Sequence, residues 1–169
     1  MKHLIVISGP TAVGKTSVSV ALAKHYNCEV LSADSRQFFK ELNIGTAKPT
    51  SEEMDGVVHH FIGNRTISED YTAGKFENHA LKVLDTIFKK HDVAILVGGS
   101  GLYIDALCNG LDDVPHNQKL RNELTNTFEK KGIEFLQKEL QENDIDYFNV
   151  VDKNNPHRLI RGVEVFRLT

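Results

Sequence analysis

Leu4-Ile5-Val6-Ile7-Ser8-Gly9-Pro10-Thr11-Ala12-Val13-Gly14-Lys15-Thr16 decides the fold. Its first four residues form a continuous apolar run, the pattern of a strand covered on both faces of a parallel sheet. Gly9 to Thr16 then matches G-x-x-x-x-G-K-[ST], a phosphate-binding P-loop set between that strand and a helix beginning near Lys15. Each residue type has a reason. The glycines let the backbone turn so that successive N–H groups converge on one anion. The N-terminus of the next helix adds partial positive charge. Lys15 puts a point charge on an outer phosphate, and Thr16 offers a hydroxyl to a Mg²⁺ ion. Gly9, Pro10, Thr11, Ala12, Val13, Gly14, Lys15 and Thr16 are thus the expected binding residues for a diphosphate or a nucleotide such as ATP.

Working outward, the helix after the loop is expected to bury Val18, Ala21, Leu22 and His25. Glu29-Val30-Leu31-Ser32 reads as a second strand ending at Ala33-Asp34, and Val93-Ala94-Ile95-Leu96-Val97 as a third, followed by the turn Gly98-Gly99-Ser100-Gly101. Ser35 to Tyr71 is irregular by pattern and punctuated by Gly45, Pro49, Gly56 and Gly63. Thr72 suits a helix cap, and Phe76, Ala80, Val83, Leu84 and Ile87, with His91 at the far end, form one stripe after it. A further helix resumes at Leu102. Asp112-Asp113-Val114-Pro115 marks a boundary, after which Leu120, Leu124 and Phe128 and then Phe135, Leu136 and Leu140 predict two or three amphipathic helices. Asn154-Asn155-Pro156 opens a last helix, with Pro at a position fit for its first turn.

Alternating strands and helices give an α/β fold: a P-loop NTPase-like parallel sheet flanked by helices, with a small inserted helical lobe. The expected division is a core over 1–114, the lobe over 115–150, and a return to the core over 151–169. In such a sheet ligands sit beyond the carboxyl ends of the strands, so Lys15, Thr16, Asp34 and Ser100 should share one crevice. The third strand ends in glycines, without the carboxylate that often holds Mg²⁺ in a plain NTPase, and Asp34 is the one strand-end acid.

Composition narrows the classes. The 169 residues carry 20 Lys plus Arg against 23 Asp plus Glu, a net charge of −3, so there is no overall basic character to announce nucleic acid. A local patch remains compatible with it. Cys28 and Cys108 stand alone, without the paired spacing of a zinc site. No apolar run approaches the roughly 20 residues of a membrane span, and no signal peptide is visible. The expectation is a cytoplasmic monomer without a membrane segment.

Taken together, several motifs resemble the tRNA dimethylallyltransferase (tRNA isopentenyltransferase) family. They are Gly9 to Thr16; Asp34-Ser35-Arg36-Gln37 with Asn43-Ile44-Gly45-Thr46-Ala47-Lys48-Pro49; His59-His60 with Tyr71-Thr72-Ala73; Gly98-Gly99-Ser100-Gly101-Leu102-Tyr103; and His157-Arg158-Leu159-Ile160-Arg161-Gly162-Val163-Glu164-Val165. The resemblance implies transfer of a dimethylallyl group from its diphosphate to N6 of adenosine 37 in the anticodon loop of tRNA, assisted by Mg²⁺ at Thr16. It implies Asp34 as the base, with Ser100, Lys15 and Arg161 as catalytic partners. It implies tRNA contact by Asp34, Ser35, Arg36, Gln37, Ser100, Arg121, His157, Arg158, Leu159, Ile160 and Arg161, and phosphate contact by Lys48. The family commonly has threonine at the place of Ser100, and its members are longer, so C-terminal helices that carry part of the tRNA surface are expected to be absent here. Read singly, Asp34 is a turn cap, the glycine turn is a packing device, Arg121 is a solvated charge, and His59-His60 is as much a turn pair as a wall of the substrate channel. The competing readings are a P-loop small-molecule or nucleoside kinase, which would need an arginine-rich lid, and a nucleotide-binding module without chemistry, which would leave Asp34 and the second glycine turn without a use.

Overall fold

The computed structural model describes residues 1–111 and 116–169, so the boundary read at Asp112 to Pro115 lies outside the described residues. By its contacts the chain divides into two compact units, Met1–Leu111 and Asp112–Thr169.

The first unit holds β1 (His3–Ser8), α1 (Lys15–Tyr26), β2 (Val30–Ser32), α2 (Ser51–Met54), β3 (His59–His60), α3 (Ala73–Ile87), β4 (Val93–Gly98) and α4 (Gly101–Asn109). Its sheet runs β1-β4-β2-β3, and every pairing is parallel. β1 and β4 pair in step from His3 opposite Val93 to Ser8 opposite Gly98. β2 reaches Ser32 opposite Val97. The two glycine-bearing loops and the Asp34 turn therefore leave the same edge of the sheet.

Burial follows sheet position. Val30, Leu31, Ala94, Ile95 and Leu96 are fully enclosed. β1 is the outer strand, and Val6 is 41% exposed, so the cover on both faces expected from its apolar run is incomplete. α1 also differs from expectation. It buries Ser19, Val20 and Ala23, while Val18 is exposed. Its apolar and small residues are spread around the helix, which leaves no dominant stripe to read. α3 behaves as its pattern implies: Thr72 accepts a hydrogen bond from Lys75 N, and Phe76, Ala80, Leu84 and Ile87 are buried. The helix ends before His91, which lies in the following loop.

The connection from 35 to 72 is less irregular than its sequence. Thr50 and Glu53 form a reciprocal capping box that starts α2, and β3 adds a short edge to the sheet. Aromatic packing fixes the rest. Phe38 is fully buried, with Phe76 stacked at 5.5 Å and Tyr71 edge-on at 5.1 Å; Phe61 meets Phe76 edge-on at 5.1 Å. Such ring pairs contribute about 0.5–1.5 kcal/mol each beyond the area they bury. Arg65 N donates to Phe38 O at 2.9 Å and Lys40 N to Arg65 O at 2.8 Å, so the two halves of the connection also join by backbone.

The second unit holds α5 (Gln118–Lys131), α6 (Ile133–Asn143), α7 (Ile145–Val150) and α8 (Pro156–Leu168). Asn117, Asp144 and Asn155 cap α5, α7 and α8 by accepting hydrogen bonds from Leu120, Tyr147 and Arg158 N–H groups. Leu124, Leu136 and Leu140 meet Leu159, Ile160 and Val163 in one core. Residues 156–168 are part of the second unit, where the apolar side of α8 lies against α5 and α6.

Two glycines sit at close approaches. A Cβ on Gly98 would lie 2.2 Å from Ala33 O, a rigid backbone atom; one on Gly162 would lie 2.4 Å from the ring of Tyr147, which can move aside. We predict that Gly98→Ala costs more stability than Gly162→Ala, about 3 kcal/mol or more against about 1. Denaturant midpoints of the two variants measure this, and an equal cost would mean that the β4 end yields as readily as a side chain.

Candidate active site

The P-loop leaves β1 at Ser8 and enters α1 at Lys15. Ala12 (φ 68°) and Gly14 (φ 89°) adopt left-handed backbone, which curls the loop; only Gly14 does so without a Cβ penalty. The first turn of α1 carries no acid, so its N–H groups and the helix dipole present uncompensated positive potential. Lys15 Nζ donates to Pro10 O at 2.6 Å and so lies across the loop. Ser17 Oγ donates to Gly14 O and Ser19 Oγ to Thr16 O, both at 2.8 Å, which stiffens the turn from behind.

A cavity of about 470 Å³ opens over this loop. Thr11, Ala12, Gly14, Lys15 and Thr16 line it; Gly9, Pro10 and Val13 do not, and Val13 is 59% exposed. Asp34, Gln37, Lys48, His59 and Gly98 line the rest with other residues. Asp34 Oδ1 accepts from Arg36 N at 3.0 Å, a local turn that fixes the carboxylate. Its Oδ2 receives no hydrogen bond from the described residues. A positive anion cradle and a carboxylate therefore share one cavity at the carboxyl ends of the strands.

Ser100 is not on the cavity wall. Its Oγ accepts from Ser35 N at 2.9 Å and donates to Ser35 Oγ at 3.1 Å, while its own N–H donates to Ala33 O at 3.2 Å. It stands at the N-cap of α4 without capping it, because its hydroxyl crosses to the Asp34 turn. Arg36 is exposed. Gln37 is held: its Nε2 donates to Thr46 O (3.2 Å) and Ala47 O (2.9 Å), and its Oε1 accepts from Ser32 Oγ (3.1 Å). Lys48 is held as well, by Phe39 O at 2.6 Å and Asn43 Oδ1 at 2.9 Å. Both residues brace the Ile44 to Pro49 loop over the cavity.

From sequence, His59 reads equally as one of a turn pair and as a wall of the substrate channel. Its Nδ1 lies 2.9 Å from Val57 O, which can only accept, so Nδ1 carries the hydrogen. Its Nε2 is buried and has no partner. Burial holds this imidazole below its ordinary pKa, the Val57 bond working the other way, and the residue lines the cavity. No sequence pattern distinguishes it from His60, whose Nε2 instead meets Glu29 Oε2 at 2.6 Å.

In the helical unit, His157 and Arg158 are exposed on α8, while Arg121 on α5 and Arg161 on α8 are half-buried. Leu159 and Ile160 are enclosed in that unit's core, so their side chains do not offer the RNA surface expected of them. Sequence reasoning passed over Glu164, which is fully buried and whose Oε2 accepts from Arg161 Nη1 at 2.9 Å.

Gln37→Ala is predicted to loosen residues 42–49 without unfolding the sheet, since it removes three hydrogen bonds worth about 1 kcal/mol each. Limited proteolysis should then cut that loop at least about fivefold faster, corresponding to about 1 kcal/mol of local opening; unchanged cutting would show that Lys48 and the aromatic cluster hold the loop alone.

Comparison with known proteins bears on this site. The family model described as IPP transferase matches residues 37–169. A tRNA dimethylallyltransferase of Cytophaga hutchinsonii is 52% identical over 169 residues, covering 99% of this chain and 56% of that protein. One from Flavobacterium psychrophilum is 49% identical over 172 residues, covering 98% of this chain and again 56% of the relative. The chain thus spans little more than half the length of the curated relatives it matches. Among solved structures, a tRNA isopentenylpyrophosphate transferase from Bacillus halodurans superposes with a TM-score of 0.66 at 38% identity, covering 100% of this chain and 56% of that one. A eukaryotic dimethylallyltransferase, described as acting on tRNA, gives 0.80 at 30% identity over 95% of this chain and 40% of its own. This chain belongs to the IPP transferase family.

Proposed function

We propose that the full-length protein transfers a dimethylallyl group from dimethylallyl diphosphate to N6 of adenosine 37 in the anticodon loop of tRNA, releasing pyrophosphate. The observation that carries this reading is the single cavity lined by Lys15, Thr16 and Asp34, with no acid at the end of β4. An anion cradle faces a base there, rather than a hydrolytic metal site. The names of the relatives support the same reaction.

In this reading the P-loop amides and Lys15 hold the diphosphate and take up charge as the bond from allylic carbon to oxygen breaks. The new bond forms between that carbon and N6. An exocyclic adenine amine is a weak nucleophile, so its proton passes to Asp34 as the bond forms. The base must leave its stack to reach the cavity. Oxygen donors fit a Mg²⁺ ion: the Thr16 hydroxyl lines the cavity, and among the described residues no group of three His, Cys, Asp or Glu could hold a metal by itself. An ion that takes most ligands from diphosphate and water suits such a site. Bound there beside Thr16, Mg²⁺ would neutralise charge on the leaving group. Ser35, Arg36, Arg121, His157, Arg158 and Arg161 are the side chains assigned to tRNA or to the leaving diphosphate, and Ser100 supports the Asp34 turn. The reading includes a monomer working in the cytoplasm; no helix among the described residues is long and apolar enough to cross a membrane.

The test incubates full-length protein with Mg²⁺, unmodified tRNA and either dimethylallyl diphosphate or ATP, then examines the tRNA by mass spectrometry. A prenylated adenosine is expected; ADP release without mass gain on the tRNA would favour the kinase. Two variants assign the roles. Asp34→Ala should lower kcat by about 10²–10⁴-fold while donor affinity stays within about twofold. Lys15→Ala should weaken donor binding at least about tenfold, or 1.4 kcal/mol, and an unchanged donor affinity would remove it from the diphosphate.

A further inference from the structure

Glu164 is the one charged side chain among the described residues that is fully buried. A carboxylate withdrawn from water is costly unless it is paired, and an apolar side chain of similar volume is often as stable or more so. Stability alone is therefore a weak reason for an ionised group at this position. The charge needs another reason, and its partners supply one.

The two carboxylate oxygens have separate duties. Oε1 accepts from His116 Nδ1 at 2.8 Å and from Asn117 N at 2.9 Å, where the chain enters α5. Oε2 accepts from Arg161 Nη1 at 2.9 Å, three residues earlier on α8. Burial pushes this carboxyl up, but the Asn117 N–H bond, Arg161 and His116 together outweigh it and hold the group below the usual glutamate value, so it stays ionised at neutral pH. Arg161 itself keeps 33% of its side chain exposed. A long, rotamer-rich, partly exposed cation is thus paired at its head with a rigid buried anion, which helps set the direction of its planar guanidinium.

Resting on the function proposed above, in which Arg161 serves the leaving diphosphate, we propose that Glu164 is a positioning residue that fixes the Arg161 guanidinium in the orientation needed for transfer. It acts through Arg161 and meets no substrate. Its second oxygen fastens that arrangement to the start of α5, so the arginine is aimed relative to two helices rather than one.

The experiment uses full-length protein and steady-state transfer to tRNA. Glu164→Gln keeps the shape and an acceptor for Asn117 N–H while removing the charge. Its kcat/KM for dimethylallyl diphosphate should fall about tenfold, mostly in kcat because the arginine meets charge that grows during bond breaking. The KM for tRNA should hardly move. Arg161→Ala should fall further, and Arg161→Ala/Glu164→Gln should be no worse than Arg161→Ala alone. A role confined to packing predicts the opposite, with the two losses multiplying; that result overturns the proposal, as does wild-type kinetics in Glu164→Gln or in Arg161→Ala. If Glu164→Gln does not fold, Glu164→Met carries the same comparison with the ion pair replaced by apolar volume. Absence of prenyl transfer by the wild-type enzyme would instead sink the function, and this assignment with it.

Discussion

The closest constraint in the first unit is the contact between the end of β4 and the end of β2. Ala33 N donates to Val97 O at 2.7 Å and Ser100 N donates to Ala33 O at 3.2 Å, so pairing continues past the strands into both loops. Only a residue without a side chain fits at Gly98. The Asp34 turn is thereby fixed against the second glycine loop, and through the shared register of β1 and β4 against the P-loop. The geometry of the cavity follows from the backbone before any side chain is considered.

Side chains then finish what the sheet begins. The connection after Asp34 is long and would be mobile if left to itself. An aromatic cluster around Phe38 and Phe76 holds its base, while Gln37 and Lys48 hold the loop that hangs over the cavity. Polar residues expected at an RNA surface are thus partly occupied with building the walls. That is a common division at a preorganised site, where residues next to the reacting groups are themselves restrained.

Legibility in the sequence tracked how local each signal is. The P-loop, the Thr72 cap, the start of the last helix at Asn154-Asn155-Pro156 and the strand over 93–97 depend on neighbours within a few residues, and they read well. The P-loop NTPase-like sheet followed from the order of such elements. β3 is only two residues long and exists through pairing with β2, so nothing in His59-His60 announces it. The capping box at Thr50 and Glu53 was a legible signal for α2 that the surrounding glycines obscured. The amphipathic stripe of α8 was visible, but a stripe does not say which surface receives it. The unpaired Nε2 of His59 and the buried ion pair of Glu164 were beyond reach, since both are properties of tertiary packing.

The sheet's two margins are unequal. At one margin β3 is so short that little backbone is left to recruit another chain. At the other, the six residues of β1 pair with β4 on one side only, and Val6 is open to solvent. Among the described residues no further strand pairs with that margin, so its outward amides and carbonyls depend on water or on another segment for partners. What lies beside β1 therefore decides how that side of the sheet is closed, whereas β3 is too short to need such cover.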